Sequence, residues 1–121
     1  MIELRKALNA QLKTVHPRVY FQQAPELAPF PYLVFDFPSI YDDGEGQEFA
    51  IVDVDAWDVN PDTTSLETLI SSVNSALNKS TLTSGNITAA FYLDTKIPLT
   101  DDDPLIRRRK YIYQARIFRR G

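Results

Sequence analysis

The segment EFAIVDVDAWDVNPDTTSLETLISSVNSAL, Glu48 to Leu77, reads as a long strand, a proline-marked corner and an amphipathic helix. From Phe49 to Asp58 β-branched and aromatic residues dominate, and Ala50, Val52, Val54 and Ala56 recur at period two. That small apolar face suits a strand lying under a helix. The opposite face carries Phe49, Ile51, Asp53, Asp55 and Trp57, so two carboxylates stand between large apolar neighbours and need a cover or a partner. Asn60, Pro61 and Asp62 break the strand. The spacing of Thr64 and Glu67 predicts a capping box that opens a helix. Leu66, Leu69, Ile70, Val73, Ala76 and Leu77 then form its buried stripe, with Glu67, Ser71, Ser72, Asn74, Ser75 and Asn78 opposite.

Upstream, Leu4, Leu8, Leu12 and Val15 predict a packing helix over residues 2–15, ended by His16-Pro17 because the residue before proline is disfavoured in the helical region. A short strand over 18–22 is followed by an extended, unpaired stretch containing Pro25, Pro29 and Pro31, then a buried strand over 32–37. Residues 39–47, with Asp42, Asp43, Gly44, Glu45 and Gly46, form the most polar loop and suit a hairpin connection. Beyond the second helix, 80–86 reads as a polar turn. Ile87, Ala89, Phe91 and Leu93 alternate with polar and small residues in a half-buried strand. A second polar loop, 95–104, holds Asp101, Asp102 and Asp103. The final strand, 105–118, points Tyr111, Tyr113, Ala115 and Ile117 inward, and its first four basic residues should project beyond the sheet. The order α-β-β-β-α-β-β predicts an α+β fold, one domain over 1–121: a mostly antiparallel sheet of four to five strands with both helices on one face.

A chain of 121 residues can bury roughly 65% of its unfolded surface in one core. No apolar run approaches the ~20 residues needed to span a bilayer, so no membrane segment is expected. The first residues, Met1 to Lys6, lack the apolar core of a signal peptide, and the absence of cysteine excludes disulfides and thiolate metal sites. A cytoplasmic place of synthesis follows as the expectation. The net charge of −3 conceals a segregation. Between Val19 and Asn78 there is no Lys or Arg, whereas seven of the 13 basic residues fall at or after Arg107. This basic pole, Arg107, Arg108, Arg109, Lys110, Arg116, Arg119 and Arg120, either pairs with the acidic middle of its own fold or meets that of a neighbouring copy.

Residues suited to catalysis are sparse. His16 is the sole histidine and stands at a helix end with no cysteine to serve, which fits a surface or capping role. Asp53 and Asp55, ~7 Å apart along one strand face, could act as an acid pair or hold a hard cation, but cross-strand pairing with Arg116 or Gln114 accounts for them more simply. The Asp42 to Gly46 loop has the composition of a calcium loop without the ligand spacing of an EF-hand. No phosphate-binding glycine loop is present, and no cofactor is expected. Arg107 to Lys110 followed by Tyr111 and Tyr113 offers cations and rings to a nucleic acid, although the tyrosines share the core face.

Arg18-Val19-Tyr20, Gln23-Ala24-Pro25, Pro31 to Phe35, Ile51 to Trp57, Val73 to Leu77 and Arg109-Lys110-Tyr111, in this order and spacing, resemble the tail completion or tail terminator proteins of long-tailed bacteriophages and prophages. The resemblance runs over nearly the whole chain. It implies a structural, non-enzymatic protein, made in the host cytoplasm and carried in the virion tail. Such a protein forms a hexameric ring, or stays monomeric until a tube end templates one. The ring caps the tail tube protein, stops its polymerisation and meets a head-neck connector protein, with DNA only as passing cargo. On that reading Asp42, Asp43, Glu45, Asp101, Asp102 and Asp103 are contact or lumen residues, the latter repelling DNA so that it slides. Arg107, Arg108, Arg109 and Lys110 lie at a subunit or tube interface, and Asp53, Asp55 and Arg116 form a structural charge cluster. The alternatives are another head-tail connector component and a small nucleic-acid-binding module using the basic C-terminal strand.

Overall fold

The structure is a computed structural model that describes residues 2–119. Helix α1 (Ile2–Lys13) leads into β1 (Val19–Phe21), β2 (Tyr32–Asp42) and β3 (Glu48–Asp58). Helix α2 (Thr64–Leu77) follows, then β4 (Thr81–Ser84), β5 (Ile87–Thr100) and β6 (Arg107–Arg119). The strands form one six-stranded sheet in the order β1-β2-β3-β6-β5-β4, antiparallel except for the β1–β2 pair. The α+β class, the mostly antiparallel sheet and the two helices agree with the sequence reading; the count of four to five strands does not.

The extra strand is β4. Its Thr81 to Ser84 pairs with Ile87 to Ala90 across a two-residue turn of Gly85 and Asn86, where Gly85 has φ +57°. Such turns require positive φ, which glycine adopts at little cost. A β-carbon there would also come within 3.0 Å of Glu3 Cγ, so the turn doubles as a close approach to α1. Strand β5 also runs past its expected end: a register shift between Leu93 and Thr95 lets it continue to Thr100. The basic residues from Arg107 are therefore inside the sheet, opposite Asp58, Trp57, Ala56 and Asp55 of β3, rather than beyond it.

Both helices cover the same face. Ala50, Val52, Val54 and Ala56 of β3 are fully buried, with Tyr113, Ala115 and Phe91 beside them on β6 and β5. Leu4, Leu8 and Leu12 of α1 and Leu66, Ile70, Val73 and Leu77 of α2 close over them. The small β3 side chains leave room for bulk from the helices and from Phe35, Phe91 and Tyr113, the alternation of size that dense packing needs. Among the described residues no helix is long and apolar enough to cross a membrane.

The start of α2 differs from the capping box. Asp62 accepts hydrogen bonds from the Thr64 amide at 3.0 Å and the Thr64 hydroxyl at 2.6 Å, and no side-chain bond is made by the N-cap, Thr63. Glu67 turns instead to Arg109. A carboxylate is the better acceptor for the amides of a first helical turn, and its charge suits the helix dipole. These bonds hold the Asp62 carboxyl below its ordinary value of 3.8. A depressed carboxyl contributes stability above its unfolded pKa and loses it as pH falls through the folded one. Asp62→Ala is therefore expected to lower the Tm by a few degrees at pH 7, with the difference from wild type shrinking below about pH 4, read by thermal melts across pH.

Candidate functional site

The sheet face away from the helices carries Phe49, Ile51, Asp53, Asp55 and Trp57 of β3, and the antiparallel register sets Arg108, Lys110, Ile112, Gln114 and Arg116 of β6 beside them. Asp55 pairs with Arg108 at 2.7 Å and Asp53 with Lys110 at 3.7 Å. The expected partner Arg116 lies opposite Phe49, its guanidinium 6.0 Å from that ring, and Gln114 donates to the Tyr41 hydroxyl at 2.8 Å. Register is the reason. Once the β3–β6 ladder includes Arg107 to Lys110, the cations nearest the two aspartates are Arg108 and Lys110, and Arg116 is carried toward the far end.

Arg108 stacks its guanidinium over Trp57, 4.0 Å from the ring centroid. Trp57 in turn stacks on Tyr32 at 5.9 Å, and Tyr32 on Phe30 at 5.1 Å. The β1–β2 connection folds over this end of the sheet, where Gln22, Gln23 and Ala24 line a cleft of about 280 Å³ with Val34, Asp55 and Trp57. That cover leaves Asp55 only 9% exposed on a face with no helix. The connection runs along the surface as expected from its prolines but is not extended throughout: Ala28 donates to the Pro25 carbonyl at 3.0 Å, closing a turn. Arg18 donates to the Pro31 carbonyl at 3.0 Å, and His16 Nε2 lies 2.9 Å from the same oxygen, so the lone histidine anchors this loop.

Burial raises the Asp53 carboxyl above its ordinary 3.8; Lys110 opposes the shift, while Asp55 and Asp36 add to it. A raised carboxyl contributes its stability below the unfolded pKa and loses it as pH rises through the folded one. Asp53→Asn should therefore leave the protein as stable as wild type or more so at pH 7, with the gain vanishing below about pH 4 in urea titrations.

Two further pairs tie the poles together: Arg109 with Glu67 of α2, and Arg119 with Glu48 at 2.6 Å. Arg107 donates to the Pro104 carbonyl. Of the two charge arrangements open to the sequence, the fold contains the intramolecular one. The cations that a nucleic-acid module would turn toward phosphates face carboxylates at Arg108, Arg109 and Lys110. Arg120 lies outside the described residues.

The acidic loops stand apart from this seam and from each other. Asp43 to Gln47 connects β2 to β3, with Gly44 and Gly46 at φ +84° and +88°. Asp42 accepts from the Gly44 amide at 2.7 Å and Asp43 from Glu45 and Gln47 at 2.8 and 3.1 Å. In the turn after β5, Asp101 accepts from Asp103 at 3.1 Å and Asp103 from Leu105 at 2.9 Å. Because Glu48 pairs with Ile117 and Asp58 with Arg107, the first loop lies at one end of the β3–β6 ladder and the second at the other, ~33 Å away at the rise of a strand. Asp42, Asp43 and Glu45 are thus grouped at one pole, Asp101, Asp102, Asp103 and Arg107 at the other, and Asp53, Asp55, Arg108 and Lys110 between. The Arg108–Trp57 stack escaped the sequence reading, although continuing the alternation of Ile112 and Gln114 back by four residues points to it.

The protein is a sheet with helices on one face, a charge seam on the other and polar loops at both ends. The family model for "Tail completion protein gp17" matches residues 3–117, and the chain belongs to that family of structural phage tail proteins. Among solved structures, it is similar to a chain in the virion of a native gene transfer agent particle, with 15% identity, a TM-score of 0.78, and coverage of 95% of this chain and 94% of that one. A second solved chain shares 16% identity with a TM-score of 0.69, covering 99% of this chain and 94% of its own length. At such identities these likenesses show a shared fold. No curated protein sequence matches the chain.

Proposed function

We propose that this protein assembles as a ring, a hexamer on the family resemblance, that caps the finished tail tube, stops its polymerisation and joins it to the head-neck connector. It would assemble in the host cytoplasm and remain in the virion tail. The observation that carries this reading is the placement of two acidic loops at opposite ends of one rigid ladder. A ring of such subunits presents one set to the tube and the other to the connector, and loops on a rigid scaffold are where such contacts are made. Carboxylates beside the channel would repel DNA and let it pass. With Arg108, Arg109 and Lys110 engaged inside the fold, Arg107 is the member of the basic stretch assigned to outward contact.

Asn at all three of positions 101, 102 and 103 tests it. The triple variant is expected to keep its fold, because Asn retains an acceptor for the amides of Asp103 and Leu105, but to lose head-to-tail joining or DNA delivery in an assembly assay. Normal joining and delivery would remove this loop from the mechanism. Light scattering across concentration and salt reads the ring itself: with the main charge pairs inside the subunit, its mass should depend only weakly on salt.

A further inference from the structure

We propose that the Pro25 to Phe30 loop, led by Glu26 and Leu27, is a knob that docks in the cleft between Pro98 and Pro104 on the next copy of this chain. The inference rests on the ring reading and names its lateral contact. Leu27 is 93% exposed, the most exposed large apolar side chain among the described residues. It is nevertheless held in place: the Ala28–Pro25 turn closes the loop, and Arg18 and His16 fasten its far end at Pro31. A pre-organised apolar tip loses little freedom on docking.

The receiving surface lies on the opposite edge of the sheet. A cleft of about 620 Å³ is lined by Pro98, Leu99, Pro104 and Ile106, with Arg107 beside them. Its apolar walls suit a leucine and its guanidinium suits the neighbouring Glu26. Arg107 gives one donor to the Pro104 carbonyl, and four of the five N–H groups of a guanidinium remain. Asp101 also lines the cleft, and its carboxylate accepts from the Asp103 amide.

The foot of the knob loop and the cleft stand at the same height along the strands. The loop enters the sheet at Tyr32, which pairs with Trp57, which pairs with Arg108, which pairs with Leu99. Tyr32 and Leu99 are three strand spacings apart across β2, β3, β6 and β5, ~14 Å at the usual spacing. Features on opposite edges at one height make a heterologous contact, which closes into a ring when the rotation permits.

The chain contains no cysteine, so Leu27→Cys with Pro104→Cys introduces the only two thiols. A disulfide needs Cα atoms within about 7 Å, and on a non-reducing gel a link between copies runs as a multimer whereas a link inside one copy stays a monomer. Oxidation of the concentrated double variant should give a ladder of multimers, and each single variant at most a dimer. Leu27→Asp should weaken self-association roughly 30-fold with an unchanged Tm. Glu26→Arg and Arg107→Glu should each weaken it and together restore it. An oligomeric wild type with no ladder, and full association of Leu27→Asp, would overturn the contact and leave the ring reading standing. A wild type monomeric at every concentration, with no ladder, would overturn the contact and confine the ring reading to assembly on a tube end.

Discussion

Arg108→Ala is expected to destabilise the protein by about 3–5 kcal/mol, the loss typical of removing one partner from a buried ion pair. The pair is nearly enclosed, with side chains 19% and 12% exposed at Arg108 and Asp55, so the carboxylate left behind regains only part of its hydration, through the cleft it lines. Asp55 Oδ1 already lacks a hydrogen-bond partner among the described residues, and the mutation would strand Oδ2 as well. The guanidinium also packs over Trp57, so its removal opens an apolar gap against the Tyr32–Trp57 stack. The non-additivity is more telling than the magnitude. Replacing both partners, Arg108→Met with Asp55→Leu, should recover most of the loss, because apolar residues of similar volume suffer no desolvation of charge. Urea denaturation of the wild type, two singles and the double completes the cycle. Equal and additive losses would show that the seam is held by packing alone.

Tyr113→Ala should cost about 3–5 kcal/mol, the range for deleting a buried aromatic ring. Tyr113 is fully buried, between the small β3 residues and α2, and its hydroxyl donates to Asn74 Oδ1 at 2.9 Å. Tyr113→Phe separates the two contributions. It keeps the ring, takes the donor from Asn74, and should cost about 1–2 kcal/mol. Burial pushes the phenol well above its ordinary value of 10.0. A group raised in this way contributes stability below its unfolded pKa and loses it as pH rises toward the folded one. The wild type should therefore lose stability above about pH 10 by a component that Tyr113→Phe lacks. Thermal melts of the two proteins between neutral and alkaline pH would reveal it; parallel curves would mean that the phenol is not the group responsible.

Both effects bear on assembly. Tyr113 fastens α2 to β6 from beneath, and the Arg109–Glu67 pair fastens it at the helix start. The cleft proposed to receive a neighbouring copy includes Arg107 and lies beside that junction. A subunit loosened at Tyr113 should therefore lose self-association as well as stability, whereas Leu27→Asp should lose association alone.

Periodicity determined much of this protein before any coordinates. The period-two ladder of Ala50, Val52, Val54 and Ala56 and the helical stripes of α1 and α2 each state which face is buried, because burial follows from local alternation that a linear sequence records directly. Class, helix placement and the core face of β6 were legible for that reason. Strand β4 was nearly so, since Gly85-Asn86 between two short runs is a hairpin turn, but its threonines and serine resemble a loop in composition. Tertiary structure alone decided the partners. Which cation meets Asp55, whether the poles pair within one fold, and that the two acidic loops lie at opposite ends all depend on the register between strands some fifty residues apart, set by the full length of the β3–β6 ladder. Alternation specifies a residue's face; only the paired strand specifies its neighbour.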